Sequence, residues 1–238
     1  MKINYLPALF TVCLILACSF ASDAQINQDT VYTKDPRDKD LILMEVFDDH
    51  HQLIASGRML KGKKEGLYRQ YNAKYTIMFL QEFHNGIPDG IYLRFSDNGA
   101  IDLEENYKEG LLDGKRIQYR FGSIKRSVEN FKNGKLEGEK IVYYDSGFKQ
   151  EEANYKNGLR EGVSTWFNQS EIMTIQYTYK AGIMDGPAKT FFFNSQVQTE
   201  GLYVNDQESG EWKHYDETGK HIKSVFYENG KISKEVTY

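Results

Sequence analysis

The chain contains little cysteine and little proline. Its 238 residues include two cysteines, Cys13 and Cys18, and four prolines. Both cysteines lie close to the N-terminus, so a chain that loses this segment would have no cysteine. Disulfides, thiol catalysis and thiolate metal sites would then be excluded. Glycine (20), tyrosine (17) and phenylalanine (14) are abundant instead, which favours many short strands joined by glycine turns.

An excess of positive charge is also absent. Thirty basic and 34 acidic residues give a formal net charge of -4, whereas nucleic-acid binding needs a basic surface. We therefore expect no nucleic-acid partner. Motifs for catalysis are missing as well: no Gly-x-Ser-x-Gly sequence occurs, and the only close histidine pair is His50-His51. The sequence thus predicts no catalytic residue, no metal site, no cofactor and no enzyme activity.

The N-terminal segment has the order of a secretory signal. Lys2 is followed by an apolar run from Tyr5 to Ala21 and then by polar residues. We predict a signal peptide over residues 1–24, and the small residue Ala24 fits its cleavage site. Alternatively, the sequence around Cys18 resembles a bacterial lipoprotein box, in which Cys18 would be lipidated, begin the mature chain and attach it to a membrane. Both alternatives predict export to the periplasm, the outer membrane or the exterior.

The rest of the chain repeats every 24 residues. One glycine column comprises Gly62, Gly86, Gly110, Gly134, Gly158, Gly182 and Gly230, with Asp206 in the place of a glycine. A second column comprises Gly66, Gly90, Gly114, Gly138, Gly162, Gly186 and Gly210. An aromatic residue stands five positions after each second glycine, and an acid precedes that glycine in six of seven units. One acid per unit is too few for a calcium site, so we expect the acid column to be structural.

Each unit has room for two strands. In one clear unit, we predict a strand over residues 139–144, a turn at residues 145–147 and the returning strand over residues 148–155. The fold class predicted is therefore all-β: an elongated, single-layer antiparallel sheet of tandem 24-residue β-hairpin repeats. About seventeen strands spaced ~4.8 Å apart would give a sheet about 80 Å long. The array is predicted to span residues 41–238, and residues 25–40, which lack an apolar pattern, are predicted to be a linker.

Two segments carry a family resemblance. Residues 131–138 (Phe-Lys-Asn-Gly-Lys-Leu-Glu-Gly) and 155–162 (Tyr-Lys-Asn-Gly-Leu-Arg-Glu-Gly) resemble MORN repeats in their short bacterial variant. The resemblance extends from Phe47 to Tyr238. It implies a twisted single-layer sheet of hairpins and a role in scaffolding, protein binding or membrane association rather than catalysis. Bacterial proteins of this type are often labelled antitoxin-like.

Alternation within the strands suggests candidate binding residues. Odd positions after the second glycine are mostly apolar, which predicts the packed face, and even positions are mostly polar. Several aromatic residues nevertheless occupy the polar face, and exposed tyrosine and tryptophan are typical of protein contact surfaces. The candidates are Tyr68, Tyr92, Tyr144, Trp166, Phe192 and Trp212.

The sequence thus favours a non-enzymatic, exported interaction or scaffold module at the bacterial envelope. Its partner would be an unknown protein or a second copy of the chain, bound by one face or edge of the sheet. Two alternatives remain open at this stage. One is an antitoxin-like neutraliser of a partner protein, and the other is an envelope protein that binds or processes glycans.

Overall fold

The computed structural model describes residues 29–121 and 124–238, and these residues form strands and turns without a helix. The predicted signal segment and Cys18 lie outside the described residues. The strands are β1 Asp29–Asp35, β2 Asp38–Phe47, β3 Leu53–Leu60, β4 Lys63–Lys64, β5 Gly66–Tyr71, β6 Ile77–His84, β7 Ile87–Phe95, β8 Ile101–Lys108, β9 Leu111–Arg120, β10 Ile124–Lys132, β11 Lys135–Tyr143, β12 Lys149–Lys156, β13 Leu159–Phe167, β14 Met173–Lys180, β15 Ile183–Phe191, β16 Val197–Val204, β17 Gln207–Tyr215, β18 His221–Glu228 and β19 Lys231–Thr237.

The strands form one open antiparallel sheet. Each strand pairs with the strands before and after it in the chain, and β3 pairs with both β4 and β5, which are two parts of one strand. Within the described ranges, no helix or second sheet covers either face. The predicted all-β fold, a single-layer sheet of hairpin repeats, is confirmed.

The N-terminal end of the array differs from the prediction. The linker predicted for residues 25–40 is wrong from Asp29 onward, because β1 and the first part of β2 occupy this region. Most residues of β1 are exposed, so its sequence needs no alternation of apolar and polar residues. The periodic glycines that identify the other hairpins are also missing there. The sheet therefore begins at Asp29, before the predicted start at residue 41.

Two kinds of turn alternate along the chain. The short turns contain two residues with positive φ, such as Asn157 (53°) and Gly158 (86°), as a type I′ hairpin requires. The long turns contain one such residue and are often held by a side chain. In one of them the Asn168 Oδ1 accepts hydrogen bonds from the backbone N–H of Ser170 (2.9 Å) and of Ile172 (3.1 Å). We call the two rims of the sheet the short-turn edge and the long-turn edge.

The acid column links successive short turns. Four of the six carboxylates accept a hydrogen bond from a backbone N–H in the next short turn along the sheet. The pairs are Glu65 with Asn85 (2.9 Å), Asp113 with Asn133 (3.1 Å), Glu137 with Asn157 (2.8 Å) and Glu161 with Ala181 (2.8 Å). The predicted structural role of this column is confirmed.

Asp206 replaces a periodic glycine and compensates with hydrogen bonds. Its φ is 63°, its N–H donates to the Met184 carbonyl (2.9 Å), and its Oδ1 accepts from the Met184 N–H (2.7 Å). Asparagine and aspartate tolerate positive φ better than most other residues. The departure from the repeat at this position is therefore explained by local structure.

Burial is concentrated on one face of the sheet. This face, which we call the ladder face, carries the even positions after each second glycine and their cross-strand partners. All of the buried hydrophobic residues lie on it: Met44, Ala55, Leu103, Ala153, Ala188, Trp212 and Val225. The prediction that the odd positions form the packed face is wrong, and Val163 at such a position is 44% exposed. Alternation defines which residues share a face, but it does not define which of the two faces buries its side chains.

Candidate functional site

A continuous row of side chains crosses the ladder face from strand to strand. The row contains the second residue after each second glycine and the residues that pair with it on the neighbouring strands. In order it reads Gly57, Tyr68, Gln81, Tyr92, Glu105, Arg116, Glu129, Lys140, Ala153, Ser164, Tyr177, Ala188, Gly201, Trp212 and Val225. We call it the central row.

Neighbours in the central row are complementary in size. A Cβ built on Gly201 would overlap the ring of Trp212, and a Cβ on Gly57 would lie 2.9 Å from Cδ2 of Tyr68. Each of these rings therefore lies over a glycine of the preceding strand, where a Cβ would crowd the ring. Both glycines lie within strands and not in turns, so their structural role is to leave space for the large side chain on the next strand.

An aromatic cluster occupies the N-terminal part of the ladder face. Ring centroids 5.8–6.4 Å apart connect Tyr68, Phe79, Phe83, Tyr92 and Tyr107. The Lys64 ammonium lies 3.7 Å from the Tyr68 ring centroid, a cation–π contact. Burial lowers the pKa of Lys64 and raises the pKa values of Tyr68 and Tyr92. Both tyrosine rings are half-buried, so part of the N-terminal cluster faces solvent.

A second cluster occupies the C-terminal part of the same face. Ring centroids 5.2–6.3 Å apart connect Trp166, Tyr177, Tyr203, Trp212 and Tyr227, all with edge-to-face geometry. Burial raises the pKa of Tyr203 to about 12. Trp212 is only 7% exposed, whereas Trp166 and the tyrosines are half-buried. Trp212 therefore anchors the cluster, and the other rings form its accessible part.

Arg160 lies beside the C-terminal cluster. Its guanidinium carbon is 5.3 Å from the Trp166 ring centroid and 5.4 Å from that of Tyr179. The guanidinium also pairs with Glu151 and donates to the Ser164 Oγ (3.1 Å). Its charge is thus satisfied within the sheet, and the arginine fixes the orientation of the Trp166 indole.

Paired charges separate the two clusters. Arg116 Nε lies 3.1 Å from Glu105 Oε1 and 3.9 Å from Glu129 Oε2, and Lys140 Nζ lies 2.9 Å from Glu129 Oε1. The Tyr107 hydroxyl donates to Glu105 Oε2 (2.8 Å), and burial together with this hydrogen bond raises the pKa of Tyr107. Since these acids and bases alternate along the central row, the middle of the ladder face is neutral and internally paired.

The six predicted binding residues do not form one surface. Tyr68 and Tyr92 belong to the N-terminal cluster and Trp166 and Trp212 to the C-terminal cluster, on the face predicted for them. The other two, Tyr144 and Phe192, begin long turns, and the Tyr144 hydroxyl donates to the Phe167 carbonyl (2.8 Å).

Sequence reasoning missed Phe79 and Tyr177, which lie between candidate rings. Both belong to returning strands, where the pairing register shifts at each long turn and around each second glycine. Strand pairing that includes both register shifts places Phe79 and Tyr177 beside the predicted residues. Their aromatic character therefore identifies them as site residues only when the strand register is known.

The ladder face offers aromatic and paired ionic groups for contact. In residues 29–121 and 124–238, no three His, Cys, Asp or Glu side chains converge as metal ligands would. No helix in that part of the chain is long and apolar enough to cross a membrane.

Comparison with known families agrees with the repeat seen in the structure. A family model described as a MORN repeat variant matches residues 88–109, 136–157, 184–205, 208–225 and 222–238. Four of these segments include a long turn and strands on both sides of it. No curated protein matches the chain. The hairpin sheet and the five matched segments establish that the chain is a MORN repeat protein.

Proposed function

We propose that this MORN repeat protein is a non-enzymatic module that binds another protein through its ladder face at the bacterial envelope. Repeats of this family form binding or scaffold modules rather than enzymes. The observation that carries the proposal is the pair of half-buried aromatic clusters on an uncovered sheet face. Aromatic rings with accessible area and few rotatable bonds are enriched where proteins bind each other.

The charged middle of the ladder face supports a protein partner rather than a strongly charged ligand. Glu105, Arg116, Glu129 and Lys140 neutralise one another. Since no net charge of one sign is available there, selectivity would come from the shape and spacing of the two aromatic clusters. A partner that covers both clusters would bury an area suited to a stable protein interface.

The ladder face can be tested with matched aromatic substitutions. We expect Tyr92→Ser and Trp166→Ser to reduce capture of the partner by the purified protein from envelope extracts by at least about tenfold, as expected for interface hot spots. Tyr119→Ser is the control, because Tyr119 is a half-buried tyrosine at an odd position on the opposite face. Circular dichroism checks that all three variants are folded. Equal capture by all variants and the wild type would overturn the role of the ladder face.

The envelope location is supported by the N-terminal sequence. Residues 1–24 have the order of a secretory signal, and Cys18 follows a lipoprotein-like sequence. Mass spectrometry of the mature N-terminus distinguishes a chain that begins at Gln25 from one that begins at a lipidated Cys18. Cys18→Ala would release the lipidated form from the membrane fraction and leave the soluble form unchanged. A chain that retains Met1 and fractionates with the cytoplasm would contradict export.

A further inference from the structure

The long-turn edge carries exposed aromatic side chains that belong to neither aromatic cluster of the ladder face. Four of them are 44–84% exposed: Tyr75, Phe121, Phe148 and Phe193. Acids outnumber bases among the described residues of these turns. The acids are Asp48, Asp49, Asp97, Asp145, Glu171, Asp216 and Glu217, and the bases are Lys74, Arg120 and Lys220. This edge is therefore both apolar and acidic.

The short-turn edge has the opposite character. Its flanking positions carry aliphatic side chains that are 41–51% exposed: Ile87, Leu111, Leu159 and Ile183. Exposed lysines stand at the facing positions of the same turns: Lys108, Lys132, Lys156 and Lys180. The acid column also lies near this edge, but its residues are half-buried, and four of its six carboxylates accept hydrogen bonds from backbone N–H groups. The exposed acids of this edge, Glu109, Asp206 and Glu228, are fewer than its exposed lysines, so its outermost charges are mainly positive.

The two edges also share one spacing. Each 24-residue unit contributes one short turn and one long turn, so turns recur every two strands, about 10 Å, along both edges. We propose that copies of this chain associate side by side, with the long-turn edge of one copy against the short-turn edge of the next. Turn aromatics of the first copy would contact the aliphatic side chains of the second, and acids would face lysines.

This contact would extend beyond a dimer. The two edges are different surfaces, so a pair of bound copies still has one free edge of each kind, and such heterologous contacts continue into open assemblies. The proposal goes beyond binding through the ladder face and does not depend on it, because it involves neither aromatic cluster. The ladder face would remain accessible to a partner protein in the assembly.

Two variants that each disable one edge test the proposal by sedimentation velocity. Tyr75→Asn with Phe193→Ser changes the long-turn edge, and asparagine suits the positive φ of Tyr75 (58°). Lys132→Glu with Lys156→Glu changes the short-turn edge. All four positions are exposed, so we expect wild-type circular dichroism. The wild type should form multimers that grow with protein concentration and dissociate in high salt, while each variant alone should remain monomeric.

An equal mixture of the two variants gives the decisive result. Each variant keeps one intact edge, so the mixture should form a one-to-one dimer and stop there. The control Tyr32→Ser, at a 61% exposed aromatic residue in β1 away from the turns, should assemble like the wild type. A monomeric wild type, a mixture without dimers, or a wild type that binds anionic vesicles as a monomer would overturn the proposal. Tyr92→Ser should assemble normally, which separates this test from that of the ladder face.

Discussion

The fit between Gly201 and Trp212 makes a quantitative prediction about the central row. Gly201 lies in β16 without a positive φ, so its backbone would accept alanine. In an open strand, alanine would stabilise the fold relative to glycine by about 0.5 kcal/mol. Here the added Cβ would overlap the indole, and overpacking of this kind costs about 2.5 kcal/mol. We expect Gly201→Ala to destabilise the protein by about 2 kcal/mol.

Removal of the ring should reverse the effect of that alanine. Trp212 is 7% exposed and packs against Ala188, Val225 and three tyrosines, so Trp212→Ala should cost about 3 kcal/mol. With the ring absent, Gly201→Ala meets no obstacle and should stabilise by about 0.5 kcal/mol. The double variant should thus be destabilised by about 2.5 kcal/mol rather than about 5 kcal/mol, a coupling of about 2.5 kcal/mol.

Urea unfolding followed by far-ultraviolet circular dichroism provides the free energies, because this signal comes mainly from the backbone and, unlike tryptophan fluorescence, persists when Trp212 is replaced. Hydrogen exchange of the amides in β16, β17 and β18 shows whether the loss is local, as expected for a repeat array. Gly57→Ala is a graded control, since its Cβ would only approach Tyr68 and should cost about 1 kcal/mol. Additive effects of Gly201→Ala and Trp212→Ala would refute the size complementarity of the central row.

Three further predictions concern polar contacts. Glu161→Ala should destabilise by about 1 kcal/mol and speed hydrogen exchange in the next short turn, whereas Glu161→Gln, which can still accept the bond, should lose less. Glu129→Ala should destabilise by about 2 kcal/mol in urea titrations. The loss should stay below that of a fully buried ion pair, because the Arg116 and Lys140 side chains left behind are about a quarter exposed and can be hydrated. Replacing both members of one pair, with Glu129→Leu and Lys140→Met, should be nearly neutral. The Tyr215 hydroxyl donates to Glu200, which lowers the pKa of Glu200 below its usual 4.5 and raises that of Tyr215 to about 12. This bond should therefore contribute fully between about pH 4.5 and pH 10.0, the ordinary pKa values of the two groups, and be lost as pH falls through the lowered pKa of Glu200 or rises from 10.0 toward 12. Glu200→Gln should flatten both limbs of a plot of unfolding free energy against pH, and unchanged limbs would contradict the assignment.

The repeat, the hairpins and the turns could be predicted from the sequence because glycine leaves a direct mark. Positions such as Gly158 need positive φ, and few residues other than glycine and asparagine adopt it easily. Two glycine columns in phase therefore specify where the chain must turn. The acid column was also interpreted correctly, since its spacing from the turns is constant.

The start of the sheet and its buried face could not be predicted in the same way. β1 is an edge strand with exposed residues, so burial imposes no pattern on its sequence. Which face is crowded depends on the side chains that neighbouring strands bring together, and this is not a property of any single strand. Trp212 illustrates the consequence. Its polar neighbours in the strand suggested exposure, but Gly201 on the adjacent strand and Ala188 one strand further along make room for burial.

Site-specific photo-crosslinking in the native envelope tests the binding role of the ladder face most directly. A photoreactive amino acid would replace Tyr92 or its neighbour Leu93, which lie on opposite faces of β7 and are both half-buried. We expect position 92 to crosslink to a defined partner protein and position 93 not to do so. Equal crosslinking from both positions, or crosslinking from position 93 alone, would contradict it.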